Sequence, residues 1–382
     1  MKTPLTYLAL QDIKITMMGV IKKIFNQAKA MRKLLPGFEC FIIGNHDKTL
    51  LEQLPHEDFI HPISFTLKAS SKIGRLKETR KVGTEIAYEL FKTNPPEFLY
   101  FRYPLGCPWT LSLFKRLTSL GIKIITEHQS IEKKELLALK KYLFWISESV
   151  FGRFCLAKNY GIVGVTDEIT DFQKHRARNA KVLTIPNGID SSNFSFRNPN
   201  YADPQKRLDM LFIGSLSKWH GLDRLIKGMT GYKNNCFFHI VGEGKEKENL
   251  RHLAGSLGLA ENVLFYGFRD KEQLDIFFEK CHIAIGSLGV HRNSLTQASP
   301  LKVREYAARG IPSVISYEDP DFRHVPWVFK ANDPSNQPIF LKPIIDWSIE
   351  CLYRHSPQKI HEYAVKHLDY DVKFKKLLCL ME

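Results

Sequence analysis

The sequence has no long uninterrupted apolar run. No stretch reaches the roughly 18 consecutive apolar residues of a membrane-spanning helix. The richest one, residues 136–156, is interrupted by Lys140, Lys141, Glu148 and Arg153. The N-terminal segment also lacks the apolar region and cleavage site of a signal peptide. We therefore expect a protein that neither spans a membrane nor is exported.

Cofactor and redox motifs are missing as well. The 7 cysteines are scattered singly, with no Cys-x-x-Cys pair and no histidine at zinc-ligand spacing. The turn that begins at Gly242 is not a dinucleotide fingerprint, because Lys247 stands where the third glycine is required. These absences favour a cytoplasmic location and argue against a nicotinamide enzyme.

What remains is a globular, basic chain. Its 382 residues are 44% hydrophobic and 25% charged, with 23 Gly and 19 Pro, and this length favours two domains over a single core. Residues 1–195 hold 29 basic and 18 acidic side chains, a net +11, whereas the remainder hold 26 and 22, a net +4. The basic half suggests an anionic partner, although the same charges also suit solvated helix faces.

Three classes of anionic partner suit this half: a phosphorylated substrate, an anionic membrane and nucleic acid. The inner leaflet of a cell membrane would meet cations in two segments, with Lys68, Lys72, Arg75, Lys77, Lys81, Lys133, Lys134, Lys140 and Lys141 as candidates. Nucleic acid is the weaker alternative, because the chain has no stacking-aromatic or arginine-rich reading motif.

Short β-branched or aromatic runs alternate with helix-period segments along the chain, which predicts βα units and parallel sheets. The predicted strands are Leu5–Ala9, Phe38–Ile43, Phe98–Phe101, Ile122–Thr126, Ile162–Thr166, Lys181–Thr184, Leu208–Ile213, Phe237–Val241, Val263–Tyr266, Ile283–Ile285 and Ser313–Ile315. We expect two doubly wound α/β domains that face each other across a cleft. The predicted boundaries are 1–190 for the first domain, 191–205 for a linker, 206–355 for the second domain and 356–382 for C-terminal helices.

Two segments of the second half suit an anionic ligand. Residues 211–226 read as a strand, a turn at Gly214 and a helix, so the helix N-terminus and loop amides would point to the strand ends; the same pattern is also compatible with a purely structural turn. Further on, Ser299 and Pro300 predict a helix start that places Lys302 in the first turn, where a cation is disfavoured unless an anion is present. Glu305 lies on the same helix face, so a plain Lys302–Glu305 ion pair is the alternative.

Five segments together resemble the retaining glycosyltransferases of family 4, which have the GT-B fold. They are residues 185–190, 214–221, 239–244, 262–267 and 299–312, in this order and spacing. The N-terminal half matches more loosely, through Gly19 before a lysine-rich helix and Glu127-His128 after a strand. The resemblance is greatest to bacterial enzymes of capsule, exopolysaccharide and lipopolysaccharide synthesis.

The resemblance implies a site for a nucleotide diphosphate sugar, UDP- or GDP-linked, without a further cofactor. The implied donor-binding residues are Gly19, Gly214, Ser215, His220, Arg292, Gln297, Ser299, Leu301, Lys302 and Glu305. Glu305 matches the glutamate that holds the donor ribose, whereas Gln297 replaces the glutamate that contacts the sugar. Ser215 and His220 replace the family's arginine and lysine, so we expect Lys302, Arg292 and Arg304 to neutralise the phosphates instead.

The resemblance also implies the reacting centre. His128 ends an apolar strand at the position where a family histidine contacts the donor sugar, so His128 and Lys302 are the predicted catalytic residues; a structural histidine is the alternative. Two Asp-x-Asp patterns, at 319–321 and 369–371, follow no strand end of the nucleotide-binding half, so no metal site is predicted.

The expected function is transfer of a sugar, with retention, to a lipid-linked or oligosaccharide acceptor in bacterial surface polysaccharide synthesis. The expected location is the cytoplasm, where the enzyme contacts the inner face of the cell membrane. Because the usual Glu, Arg and Lys are replaced, a non-catalytic sugar-nucleotide-binding subunit of an assembly complex is the alternative.

Overall fold

The chain folds into two compact units. The computed structural model describes residues 4–177, 179–200, 202–331 and 335–382, except for the side chains of Thr16, Lys72 and Lys271. The N-terminal unit comprises Met1–Pro186 together with Tyr370–Glu382, and the C-terminal unit comprises Asn187–Asp369. Lys72, one of the predicted membrane contacts, thus has its side chain outside the described part.

The N-terminal unit is built on a seven-stranded parallel sheet in the order β3-β2-β1-β4-β5-β6-β7. Its strands are β1 Leu5–Leu10, β2 Glu39–Gly44, β3 Ile60–Ser64, β4 Phe98–Arg102, β5 Lys123–His128, β6 Gly161–Gly164 and β7 Lys181–Thr184. Its helices are α1 Met18–Leu34, α2 Lys48–Gln53, α3 Lys72–Thr93, α4 Pro108–Ser119, α5 Glu132–Ala138, α6 Tyr142–Leu156, α7 Asp167–Lys174 and α14 Tyr370–Met381.

Alternation along β1 divides this unit's core between the two faces of the sheet. Tyr7 and its neighbours two residues away pack with α1 and α14, whereas Leu8 packs with α3 and α4. Both clusters are fully buried, which explains why these strands read as continuous apolar runs.

The C-terminal unit has a six-stranded parallel sheet in the order β10-β9-β8-β11-β12-β13. Its strands are β8 Leu208–Ile213, β9 Cys236–Val241, β10 Val263–Gly267, β11 Ile283–Ile285, β12 Ser313–Ile315 and β13 Val328–Lys330. Its helices are α8 Leu222–Gly228, α9 Lys247–Ser256, α10 Lys271–Lys280, α11 Leu301–Ala308, α12 Leu341–Arg354 and α13 Pro357–Tyr363. The two doubly wound α/β units confirm the predicted fold class.

All eleven predicted strands are present within one or two residues, but β3 and β13 were not predicted. Both lie at a sheet edge, where β3 contains Pro62 and exposes alternate residues and β13 has only three half-buried residues. Edge strands of this kind lack the continuous apolar run that marks a buried parallel strand.

The observed unit boundaries differ from the predicted ones at both ends of the C-terminal unit. The predicted linker 191–205 packs into this unit, because Arg197 is buried and donates to the carbonyls of Phe278 and His282. The predicted C-terminal helices divide at Asp369, and only α14 joins the N-terminal unit.

Among the described residues, no helix is long and apolar enough to cross a membrane. All seven cysteines are free thiols, and five of them are buried.

Candidate functional site

The strand order of the C-terminal unit reverses between β8 and β11, and this point marks the candidate site. The chain proceeds outward from β8 to β10 on one side and from β11 to β13 on the other. In open parallel sheets, ligands bind beyond the carboxyl ends of the strands at such a switch point. The loops that follow β8 and β11, residues 214–221 and 286–300, therefore form the walls of the site, which we call the switch-point site.

Tyr306 bridges the gap where β8 and β11 separate. The two strands pair only as far as Leu211 and Ala284. Beyond them, the Ile213 N–H donates to the Tyr306 hydroxyl at 3.1 Å, and this hydroxyl lies 3.3 Å from the Ile285 carbonyl, to which it donates. The buried Tyr306 thus fixes the separation of the two strand ends, although no local sequence motif marks it.

The turns after β8 and β9 are built from glycines because the backbones touch. Gly214 and Gly242 both have φ of +140°, a conformation that side chains rarely adopt. A Cβ on Gly242 would lie 2.0 Å from the Gly214 carbonyl oxygen, and one on Gly214 would lie 3.1 Å from Lys302 Nζ. Gly221, at φ +64°, approaches the Gly289 backbone in the same way, so the two loops are closely packed.

Lys302 places an uncompensated amine at the switch-point site. Its Nζ is buried without a hydrogen-bond partner, 3.9 Å from the centre of the Phe212 ring and 6.0 Å from that of Trp219. Burial lowers the pKa of Lys302 well below the ordinary lysine value. The alternative of a Lys302–Glu305 ion pair is excluded, because Glu305 instead accepts from Arg309 at 3.3 Å. An anion beside Gly214 would give this amine its missing partner.

The start of α11 differs from the predicted cap. The helix begins at Leu301, and Pro300 at the cap position makes no side-chain hydrogen bond. The Ser299 hydroxyl accepts from the Asn187 N–H at 2.8 Å, and the Asn187 amide donates to the Ser299 carbonyl at 2.5 Å. Ser299 therefore anchors the loop before Lys302 and does not cap the helix.

The predicted donor residues of the adjoining loops differ in exposure. Ser215 is exposed, whereas Leu301, Gln297 and Glu305 are half-buried. Gln297 forms an isolated parallel bridge with Glu318, which places it in the loop between β11 and α11. Ser287, which no local sequence motif marks, has a fully buried hydroxyl without a hydrogen-bond partner in the same loop.

His220 is a neutral packing residue. It is 1% exposed, its ring lies 5.1 Å from that of Phe212, and its Nδ1 accepts from the Ser217 N–H at 3.3 Å. Burial, and then the Lys302 charge, lower its pKa well below the ordinary histidine value. His220 therefore brings no positive charge to replace the family's cation.

Arg304 does not neutralise donor phosphates as predicted. The fully buried guanidinium donates to both carboxylate oxygens of Asp319 at 2.6 Å and to Asp321 at 2.7 Å. It also donates to the Asn187 carbonyl at 2.8 Å. Its donors are occupied by these partners, so Arg304 is a structural residue. One of the two Asp-x-Asp patterns is explained by the same ion pair.

Arg292 ties the two walls of the switch-point site together. It donates in bidentate fashion to Asp223 at 2.8 and 2.9 Å and to the Lys218 carbonyl at 2.7 Å. Burial raises the pKa of Asp223, but the Arg292 hydrogen bonds and charge outweigh it, so the pKa lies below its usual range. With these bonds in place, Arg292 acts as a positioning residue.

The second Asp-x-Asp pattern also has protein partners. Asp369 accepts from the Ser191 N–H and hydroxyl, and Asp371 pairs with Lys33 at 3.0 Å. Across the described part of the chain, no group of three or more His, Cys, Asp or Glu side chains is placed to hold a metal ion.

In the N-terminal unit, His128 is fully buried and hydrogen-bonded at both ring nitrogens. Its Nδ1 lies 2.6 Å from Glu132, its Nε2 lies 3.0 Å from the Thr126 hydroxyl, and Tyr103 packs on the ring. Although burial raises the pKa of Glu132, the neighbouring His128 and Arg176 hold it below the usual range. Contact with a sugar would require the ring to leave both bonds, so its position gives the predicted catalytic role no support.

Gly19 is exposed near the start of α1, with open space beside its Cα.

Comparison with known proteins adds a family match to this geometry. Residues 195–325 match the family described as glycosyl transferases group 1. No curated protein sequence matches the chain.

Solved structures of glycosyltransferases share the whole fold. A glycosyltransferase from Rickettsia africae ESF-5 is 14% identical over 99% of this chain and 97% of its own, with a TM-score of 0.68. The lipopolysaccharide outer core galactosyltransferase WaaB is 13% identical over 99% of this chain and 99% of its own, with a TM-score of 0.66. HepE from Anabaena, solved in complex with UDP, is 17% identical over 99% of this chain and 98% of its own, with a TM-score of 0.66. The chain therefore has the two-domain GT-B fold, and its C-terminal unit carries a region that matches the glycosyl transferases of group 1.

Proposed function

We propose that the chain is a glycosyltransferase that moves a sugar, with retention, from a nucleotide diphosphate donor to a lipid-linked or oligosaccharide acceptor in bacterial surface polysaccharide synthesis. The observation that carries the proposal is the buried, unpartnered amine of Lys302 at the switch point of the C-terminal sheet. The match to glycosyl transferases of group 1 supports the activity, and the structural likeness to WaaB and to UDP-bound HepE suggests the donor and acceptor classes.

Lys302 would pair with the donor diphosphate. Negative charge develops on the leaving diphosphate as the sugar departs, and a fixed cation in a site with little water stabilises it more than water does. The turn at Gly214 lies directly beside this amine, because a Cβ on Gly214 would be only 3.1 Å from Lys302 Nζ, so a larger residue there would crowd the proposed phosphate partner. Arg292 would hold the two loops in place, since its own donors are engaged by Asp223 and Lys218.

Glu305 would bind the donor ribose from the same helix. Glu305 is three residues beyond Lys302 on α11, and its side chain is 29% exposed. The resemblance to family 4 supports retention and suggests that an oxygen of the leaving diphosphate takes the acceptor proton. No side-chain base is then needed, which fits the engaged His128.

A second candidate is a non-catalytic subunit that binds sugar nucleotides. It is favoured by the neutral His220 and by Gln297, which stand where the resembling family has a cation and a carboxylate. The two candidates predict the same ligand and differ in turnover, because the subunit would bind the donor without releasing nucleotide.

The decisive experiment combines binding with turnover on a panel of UDP- and GDP-sugars. A donor that binds only the native state must raise the melting temperature, and the enzyme should then release the nucleoside diphosphate when an acceptor is added. A chelator should leave the rate nearly unchanged, because the proposed phosphate partner is a side chain. Stabilisation without nucleotide release would establish the non-catalytic candidate, and a chelator-sensitive rate restored by Mn²⁺ would overturn metal independence.

A further inference from the structure

The N-terminal unit contains a mainly apolar cavity of about 300 Å³ between α3, α6 and the loop from β4 to α4. Its walls include Leu76, Leu105, Trp109, Leu143 and Phe144. Leu105 has φ of +82°, an unfavourable conformation for leucine that the fold imposes on the cavity wall. The loop that carries it follows β4, beside β1, where the strand order of this sheet reverses.

Arg80 brings an unpartnered charge to this cavity. Its Nη1 is buried and has no hydrogen-bond partner, although the residue lines the cavity beside Lys77. Burial lowers the pKa of Arg80, while the neighbouring Cys107, Asp12 and Tyr103 raise it. A guanidinium keeps its charge inside proteins, so a buried N–H without an acceptor costs free energy until an anion arrives.

An exposed apolar stripe continues from the cavity along α6. Leu143, Ile146, Val150 and Phe154 are 68%, 51%, 48% and 46% exposed, and their spacing of three or four residues places them on one helix face. Leu139, just before α6, and Ile73 on α3 are also exposed. A contiguous apolar surface of this kind marks an interaction site.

The exposed charges on α6 and at its two ends are of one sign. Between residues 139 and 158, the exposed charged side chains are Lys140, Lys141, Arg153 and Lys158, since Glu148 is fully buried. On α3, the carboxylate of Glu78 accepts from the backbone N–H groups of Lys68 and Ala69 and keeps its negative charge. Cations around an apolar helix face are the pattern of a segment that lies in the interface of an anionic membrane.

We infer that this surface docks onto an anionic lipid bilayer, with the α6 stripe among the acyl chains and one lipid phosphate at Arg80. A bilayer is favoured over a protein partner because the cations surround the apolar stripe and no exposed acidic side chain interrupts them between residues 139 and 158. The inference rests on the lipid-linked acceptor of the proposed function, which would lie in such a bilayer. Lipid binding is measured without a sugar donor, so either proposal can fail alone.

Vesicle sedimentation tests the surface. The protein should bind vesicles of phosphatidylcholine that contain about a third phosphatidylglycerol, and it should bind vesicles of phosphatidylcholine alone much more weakly, through the apolar stripe only. Roughly molar salt should weaken this binding but leave a residual fraction, because screening does not affect the buried apolar residues. If binding disappeared entirely at high salt, the contact would be purely electrostatic, and this result would overturn insertion of the stripe.

Matched variants locate the contact. Ile146→Glu should weaken binding at least about tenfold, because it places a carboxylate among acyl chains. The control Tyr353→Glu changes a residue of the C-terminal unit that is 94% exposed, and it should bind as the unchanged protein does. Arg80→Gln should weaken binding to anionic vesicles about fivefold, whereas Arg251→Gln, which changes an exposed side chain of α9, should have no effect.

Two results would overturn the inference. The first is unchanged binding of Ile146→Glu and Arg80→Gln, with melting temperatures that show both variants to be folded. The second is the absence of binding to either kind of vesicle, which would indicate that the surface binds a protein partner and not a membrane.

Discussion

At the residue scale, Lys302 has opposite consequences for stability and for binding. Its buried amine has no partner, so the folded state disfavours the charge that the unfolded chain carries. Residues of an active site commonly reduce stability in this way, and their replacement then stabilises the fold.

Lys302→Met should therefore raise the free energy of unfolding near neutral pH by roughly 0.5–2 kcal/mol and lower kcat/KM about 10- to 1000-fold. The pKa of Lys302 is lowered in the folded state, so the unfolded state binds more protons between the folded and ordinary lysine pKa values. The free energy of unfolding of the unchanged protein should therefore rise with pH across this window. The difference in free energy of unfolding between the unchanged protein and Lys302→Met should become smaller. Chemical denaturation at several pH values measures both effects. A destabilised Lys302→Met variant with normal turnover would contradict the assignment.

Replacement of Arg304 should have the opposite effect on stability from replacement of Lys302, because the buried charge of Arg304 is fully paired inside the fold. Arg304→Met removes the cation that pairs with the fully buried carboxylate of Asp319 and should cost about 3–5 kcal/mol in unfolding free energy. Arg292→Met is the matched control, since its ion pair with Asp223 is partly exposed and should contribute far less. Chemical denaturation compares the two variants. If Arg304→Met kept its stability and lost only donor binding, Arg304 would be a donor residue after all.

At the element scale, the switch-point site depends on how β8 and β11 separate. Their pairing ends before their last residues, and the Tyr306 hydroxyl from α11 fills the gap. The same helix carries Lys302, so the bridge fixes the amine relative to the two strand ends.

Tyr306→Phe should lower the free energy of unfolding by about 1 kcal/mol, because it leaves the partly buried Ile213 N–H without an acceptor. It should also weaken donor binding, since α11 loses its attachment to the strand ends. Tyr317→Phe is the matched control: its buried hydroxyl has no hydrogen-bond partner, so its removal should leave stability unchanged or raise it. Thermal unfolding with and without donor compares the two, and equal costs for both variants would show that the bridge contributes nothing.

At the scale of the whole molecule, the sequence was sufficient for the fold class and for most strands. Buried parallel strands form continuous apolar runs, which explains why β1, β8 and their neighbours were predicted nearly to the residue. The edge strands β3 and β13 lack such runs and were missed.

The site was predicted less completely because ion pairs join residues that are distant in sequence. Lys302 could be selected from its place in the first turn of a helix. Arg304 has its partners 15 and 17 residues away, and Arg292 has its partner 69 residues away, so neither pair could be derived from local pattern. Tyr306 and Ser287 matter only because of where β8 and β11 separate, which no local motif encodes.

The segment from Tyr370 to Glu382 gives the molecule an order of assembly. Tyr370, Phe374 and Leu377 complete the core beside α1, yet the ribosome makes them after the entire C-terminal unit. At a translation rate of about 5–20 residues per second, the N-terminal unit remains incomplete for on the order of ten seconds or more. During this time the apolar surface of α1 is uncovered. The C-terminal unit is continuous in sequence and can be completed first. During synthesis, the first half of the chain is therefore the one that a chaperone would have to protect.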